Sequence, residues 1–184
     1  VAAAENSNGT NCVDRPIAAG RSVAEFWVQG VEDQMGECIL TADAGAGYNQ
    51  GTSSSDVVTP AFDIDDLAAR ESTLDPNDPF LVRIGIADAG LHHVAHEQEL
   101  RYNTRAGAVV SVPVVVCSTD PNVGEVVGAV ADSVDPAKCR KGEITQLNSS
   151  TSQFDFDPKI NGETTVYVRE GDNYIPTDAA TVPI

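Results

Sequence analysis

The sequence predicts an all-β fold, a single jelly roll or β-sandwich carrying one short helix. Three observations lead there. Between Val109 and Val116 six of eight residues are valine, interrupted by Ser111 and Pro113. Branching at Cβ restricts χ1 and suits a pleated surface. Further short runs of β-branched and aromatic residues recur along the chain, separated by Gly, Pro, Asn and Asp turns. At 184 residues the chain is long enough for a full sandwich core, and no repeat, linker or low-complexity block divides it.

The valine run reads as a strand buried on both faces, with Val110, Val112, Val114 and Val116 sharing one of them. Pro113 has no N–H to donate, which places it at an edge, a bulge or a corner. Residues 1–20 are polar and read as an N-terminal arm, leaving 21–184 as one sandwich domain. Strands follow at Ser22–Gln29 and Glu37–Ala42, and Asp43–Ser55 reads as a long loop. Over Pro60–Ser72, Ile64, Leu67 and Ala68 repeat at helical spacing. Asp63, Asp65 and Asp66 crowd the start, where carboxylates suit a helix dipole, so the single helix is expected here. Phe80–Ile86, Gln98–Thr104, Glu125–Val130 and Thr164–Arg169 complete the main strands. Glu143–Leu147 and Ser152–Phe156 alternate and look like edges.

The balance of 28 acidic to 11 basic residues gives a net charge of −17, which argues against nucleic-acid phosphate as a partner. Only three of the basic residues are lysines, Lys138, Lys141 and Lys159. Few lysines and many carboxylates suit a protein working in high salt, where self-repulsion is screened within a few ångströms. No apolar stretch approaches the ~20 residues of a membrane helix. Val1 fits a start after a removed methionine as well as one after a cleaved leader.

Candidate sites are few, and no cofactor is expected. Leu91–Glu99 gathers His92, His93 and His96 with Glu97 and Glu99. Imidazoles and a carboxylate are zinc ligands, and His92 and His96 would share a face on helix or strand. The order departs from H-E-x-x-H, since Glu97 follows the last histidine, and a surface loop with clustered histidines is the plainer reading. Asp63, Asp65 and Asp66 lack the glycine and closing glutamate of a calcium loop. Cys12, Cys38, Cys117 and Cys139 are spaced by 26, 79 and 22 residues, without a Cys-x-x-Cys. Disulfides within the chain, disulfides between copies and buried thiols all remain open. Cys12 lies in the polar arm, where it can reach a neighbour, and Cys117 ends the valine strand, where burial is expected. Asn8 and Asn148 begin glycosylation sequons. No nucleophile elbow occurs, and no catalytic residue is assigned.

In length, lysine-poor acidity, β content and a start one residue past a presumed methionine, the chain resembles the smaller major capsid protein of haloarchaeal icosahedral viruses with an internal membrane. The resemblance covers the whole chain in character, and no short motif carries it. It implies an upright single jelly roll that pairs with copies of itself and with a second, larger capsid protein. Vertex and membrane proteins of the virion would be further partners, with assembly in a high-salt archaeal cytoplasm. It also implies that disulfides between chains are worth considering. Two other readings stand beside it: a decoration or turret protein of a tailed haloarchaeal virus, and a secreted cupin-like metalloprotein. The second requires His92, His93, His96 and Glu97 to converge.

Overall fold

A computed structural model describes residues 11–28, 35–100, 111–145, 148–169, 175–176 and 180–183. Contacts group the chain into two compact units, Val1–Thr59 with Tyr102–Ala108, and Pro60–Arg101 with Val109–Ile184. The boundary expected after residue 20 lies inside the first.

In the first unit, β1 (Gly36–Ala42) and β2 (Gly51–Val57) form an antiparallel hairpin, in register from Gly36↔Val57 to Ala42↔Gly51. The expected strand at 37–42 is present. The loop expected over 43–55 is overturned in part, because Gly51–Ser55 pairs with β1 although its small polar side chains carry no strand signal. Of the strand expected at 22–29, residues 22–28 are described and make one bridge, at Trp27, and Gln29 lies outside the described residues.

The second unit holds β3 (Ala61–Asp65), β4 (Asp78–Ala87), β5 (Val94–Glu97), β6 (Val112–Ser118), β7 (Gly124–Gly128) and β8 (Val130–Ala131). It continues with β9 (Cys139–Ile144), β10 (Ser150–Pro158), β11 (Glu163–Val168), β12 (Ile175–Pro176) and β13 (Ala180–Pro183). One sheet runs β12-β3-β4-β10-β7, with β5 also on β4; the other runs β13-β11-β6-β9-β8. The core fills the space between them. Phe62, Phe80, Val82, Ile84, Val126, Phe154 and Phe156 come from the first sheet, and Val112, Val114, Val116, Ile144, Val166 and Val168 from the second. Phe80 and Phe154, register partners, stack with centroids 5.9 Å apart.

This is a β-sandwich. Taken as A to G, the strands β3, β4, β6, β7, β10, β11 and β13 pair in the orders A-B-E-D and G-F-C. That is the Greek-key order of an immunoglobulin-type sandwich. Here β8 and β9 are added between D and E, beside C. A jelly-roll order is not shown by these ladders.

The helix expected over 60–72 is absent. Ala61–Asp65 is a strand because Phe62 and Ile64 alternate with Asp63 and Asp65, and the pairing with β4 outweighs the helical spacing of Ile64, Leu67 and Ala68. Residues 98–100 are not a strand, and 101–104 lie outside the described residues. Ser152–Phe156 is no edge: β10 lies between β4 and β7 with Phe154 and Phe156 fully buried. The strand expected at 143–147 is instead β9, paired on both sides.

The valine strand buries one face throughout and the other only at Cys117. Val112, Val114 and Val116 are buried, Val115 is half-buried and Pro113 is exposed; Val110 lies outside the described residues. Pro113 is tolerated for a legible reason. Arg169 donates its N–H to the Val115 carbonyl, so odd-numbered residues of β6 turn their backbone groups toward β11. Among the described residues no strand pairs with Pro113 on the β11 side, so its missing N–H costs no described ladder bond there.

Candidate functional site

The histidines lie on the turn and return strand that follow β4. Asp88 anchors the turn, its carboxylate accepting the N–H of His92 at 2.6 Å and, more weakly, that of His93. Burial opposes its ionisation. The two amides and the neighbouring imidazoles outweigh that and hold the carboxyl below its ordinary range. His92, His93 and His96 are all exposed. Glu97 is engaged by Arg83 at 3.1 Å and by the Ser149 hydroxyl at 2.7 Å. Among the described residues no three metal-ligating side chains converge, so the convergence that a cupin-like centre needs is not formed.

The aspartates read as a helix start are spread along and beyond β3. Asp63 accepts the N–H of Val94 at 3.2 Å, Asp65 pairs with Arg83, and Asp66 turns the chain with φ at 64°. Arg83 thus stands between Asp65 and Glu97 on the outer face of its sheet.

Cys117 and Cys139 form a disulfide between β6 and β9, where they are direct register partners. Both are buried, Cys117 at its strand end as expected. Cys12 is exposed and Cys38 half-buried, and neither belongs to this bridge. Asn148 is exposed, with its side-chain amide donating to the Thr145 hydroxyl at 2.9 Å; Asn8 lies outside the described residues.

Two polar clusters had no signal in the sequence. Asp132, only 3 % exposed, receives Arg169 from the end of β11 at 2.8 Å and the N–H groups of Val134 and Asp135. The Arg169 hydrogen bond, followed by these amides, lowers its pKa to about 2. Ser118 and Thr164, both buried, share a hydroxyl contact of 2.8 Å. Thr164 also accepts the N–H of Asp120, and Ser118 donates to the Gly124 carbonyl, so the two hydroxyls tie down both ends of the crossing from β6 to β7. Both clusters join residues more than 35 positions apart, a proximity that only the fold creates.

The surface carries features of another kind. Ile17, Val23, Phe26, Val28, Met35, Ile39, Tyr48 and Val58 are exposed in the first unit, and Val130 and Val134 at the β8 end of the second. Lys138 and Lys141 are exposed there too, whereas Arg140 and Lys159 lie on Glu125. The sequence held the signal for this: all three lysines fall within 138–159. The chain matches no known protein-family model, and no curated protein matches it.

Proposed function

We propose that the chain is a structural subunit that assembles with copies of itself, and with a second, larger capsid protein, into an icosahedral shell over an internal membrane. The carrying observation is the β1–β2 hairpin. It has seven register pairs, a half-buried Cys38 and Leu40 on one face, and an exposed Ile39 on the other. Among the described residues no third strand pairs with it, and an isolated two-stranded hairpin is marginal in water, which favours a covering surface. Acidic surfaces and open sheet edges fit a protein that joins its neighbours in high salt through backbone pairing and apolar contact. In this reading the sandwich takes the upright place that a single jelly roll holds in such shells.

A decoration or turret subunit is the second reading, favoured by two observations. Immunoglobulin-type sandwiches are common in cell-surface domains, and a buried disulfide suits a protein exposed to an oxidising medium. Mixing the purified chain with the larger capsid subunit at molar salt separates the two. Closed particles that require this chain support the shell reading. Particles that form without it and then bind it overturn that reading in favour of decoration.

A further inference from the structure

We propose that the β8–β9 edge of the sandwich is a docking surface for the β1–β2 hairpin of a second copy of the chain. The partner's identity rests on the assembling-subunit reading; the surface itself rests on the following geometry.

Lys138 and Lys141, two of the three lysines in a chain of net charge −17, lie on this edge beside Asp135 and Glu143. Among the described residues Lys138 and Lys141 make no ion pair. Among the described residues β8 is the last strand of its sheet, and no described strand pairs with its outer side. Val130 and Lys141 are register partners and share the outer face, where Val130 is 76 % exposed; Glu143 lies two residues further along. Val134, in the connection from β8 to β9, is 78 % exposed. The edge thus offers two ammonium groups, two bare valines and an open strand.

The hairpin offers the complement. Residues 36–57 hold Glu37, Asp43 and Asp56 and neither lysine nor arginine. Glu37 stands directly opposite Asp56, so two like charges face each other across the ladder. Such a pair is destabilising, and a lysine brought between the carboxylates reverses the sign. Ile39 follows on the same face, 66 % exposed, matching the valines. In molar salt the Debye length is about 3 Å, so only contacts at pairing distance survive beside the apolar and backbone ones. Donor and acceptor surfaces differ, so the contact is heterologous and repeats from copy to copy as a ring or an open row.

The test uses the full chain as an equal mixture of ordinary and ¹⁵N-labelled copies at molar salt, cross-linked with a carbodiimide that joins amines directly to carboxylates. The expected products are mixed-isotope peptides linking Lys138 or Lys141 to Glu37 or Asp56. The double variant Lys138→Glu/Lys141→Glu is expected to associate at least tenfold more weakly in sedimentation. Adding copies that carry Glu37→Lys/Asp56→Lys restores association. Single-isotope links alone, or undiminished association of the lysine variant, overturn the proposal. Particle formation with the larger subunit is scored separately. Particles without these links reject the docking surface and leave the shell reading standing, and links without particles do the reverse.

Discussion

Asp132 carries a charge almost out of contact with water, and its partners set how the protein responds to acid. Its pKa in the fold, about 2, lies below the ordinary aspartate value of about 3.9. A depressed carboxyl stabilises the fold fully above its unfolded value, and that contribution disappears as pH falls from about 4 to about 2. Asp132→Asn should therefore be less stable at pH 7, and its deficit should shrink over that window. Urea midpoints at pH 7, 4 and 2.5 measure it. Val114, 1 % exposed in the middle of the core, makes the opposite kind of site. A carboxylate there has no partner, and Val114→Asp should lose several kcal/mol and the cooperative transition with it. A soluble variant that still melts sharply would contradict the core assignment.

Among the elements, the turn from β7 to β8 is the corner at which the chain leaves one sheet for the other. Gly128 makes it with φ at 96°, and a Cβ there would lie 2.6 Å from the Gln153 carbonyl oxygen. Gly128→Ala should cost roughly 1–2 kcal/mol for the left-handed backbone alone, and more for the clash. Thermal unfolding followed by circular dichroism reads it directly. The strands that could be read from the sequence, at 37–42, 80–86, 125–130 and 164–169, carry their own apolar or β-branched pattern. Among those that could not, β2 and most of β9 are made by their neighbours. The β9 residues Cys139–Ile144 alternate hardly at all, yet β6 pairs with them and Gly142 lets the Phe154 ring approach within 2.8 Å of where a Cβ would stand. At 60–72 two periods competed, and the longer ladder along β4 decided between them. The histidines are exposed, as the surface-loop reading expected; what the sequence did not show was that Asp88 folds their turn.

At the scale of the whole molecule, 28 carboxylates against 11 basic groups make low salt the harsh condition. When the Debye length grows to ~30 Å at 0.01 M, the charges repel across the full width of the protein. Dialysis from molar to millimolar salt should lower the melting temperature and dissociate assemblies, as circular dichroism and light scattering would record. Unchanged signals would remove the high-salt reading. The Cys117–Cys139 bridge has a consequence of a different sort. It ties together positions 22 apart in the sequence, and the intervening chain could otherwise pay out at most about 75 Å when stretched. Pulled by its two ends, an oxidised molecule keeps that length in reserve and β6 cannot slip past β9. A single-molecule extension trace should lengthen by about that amount once a reductant is added.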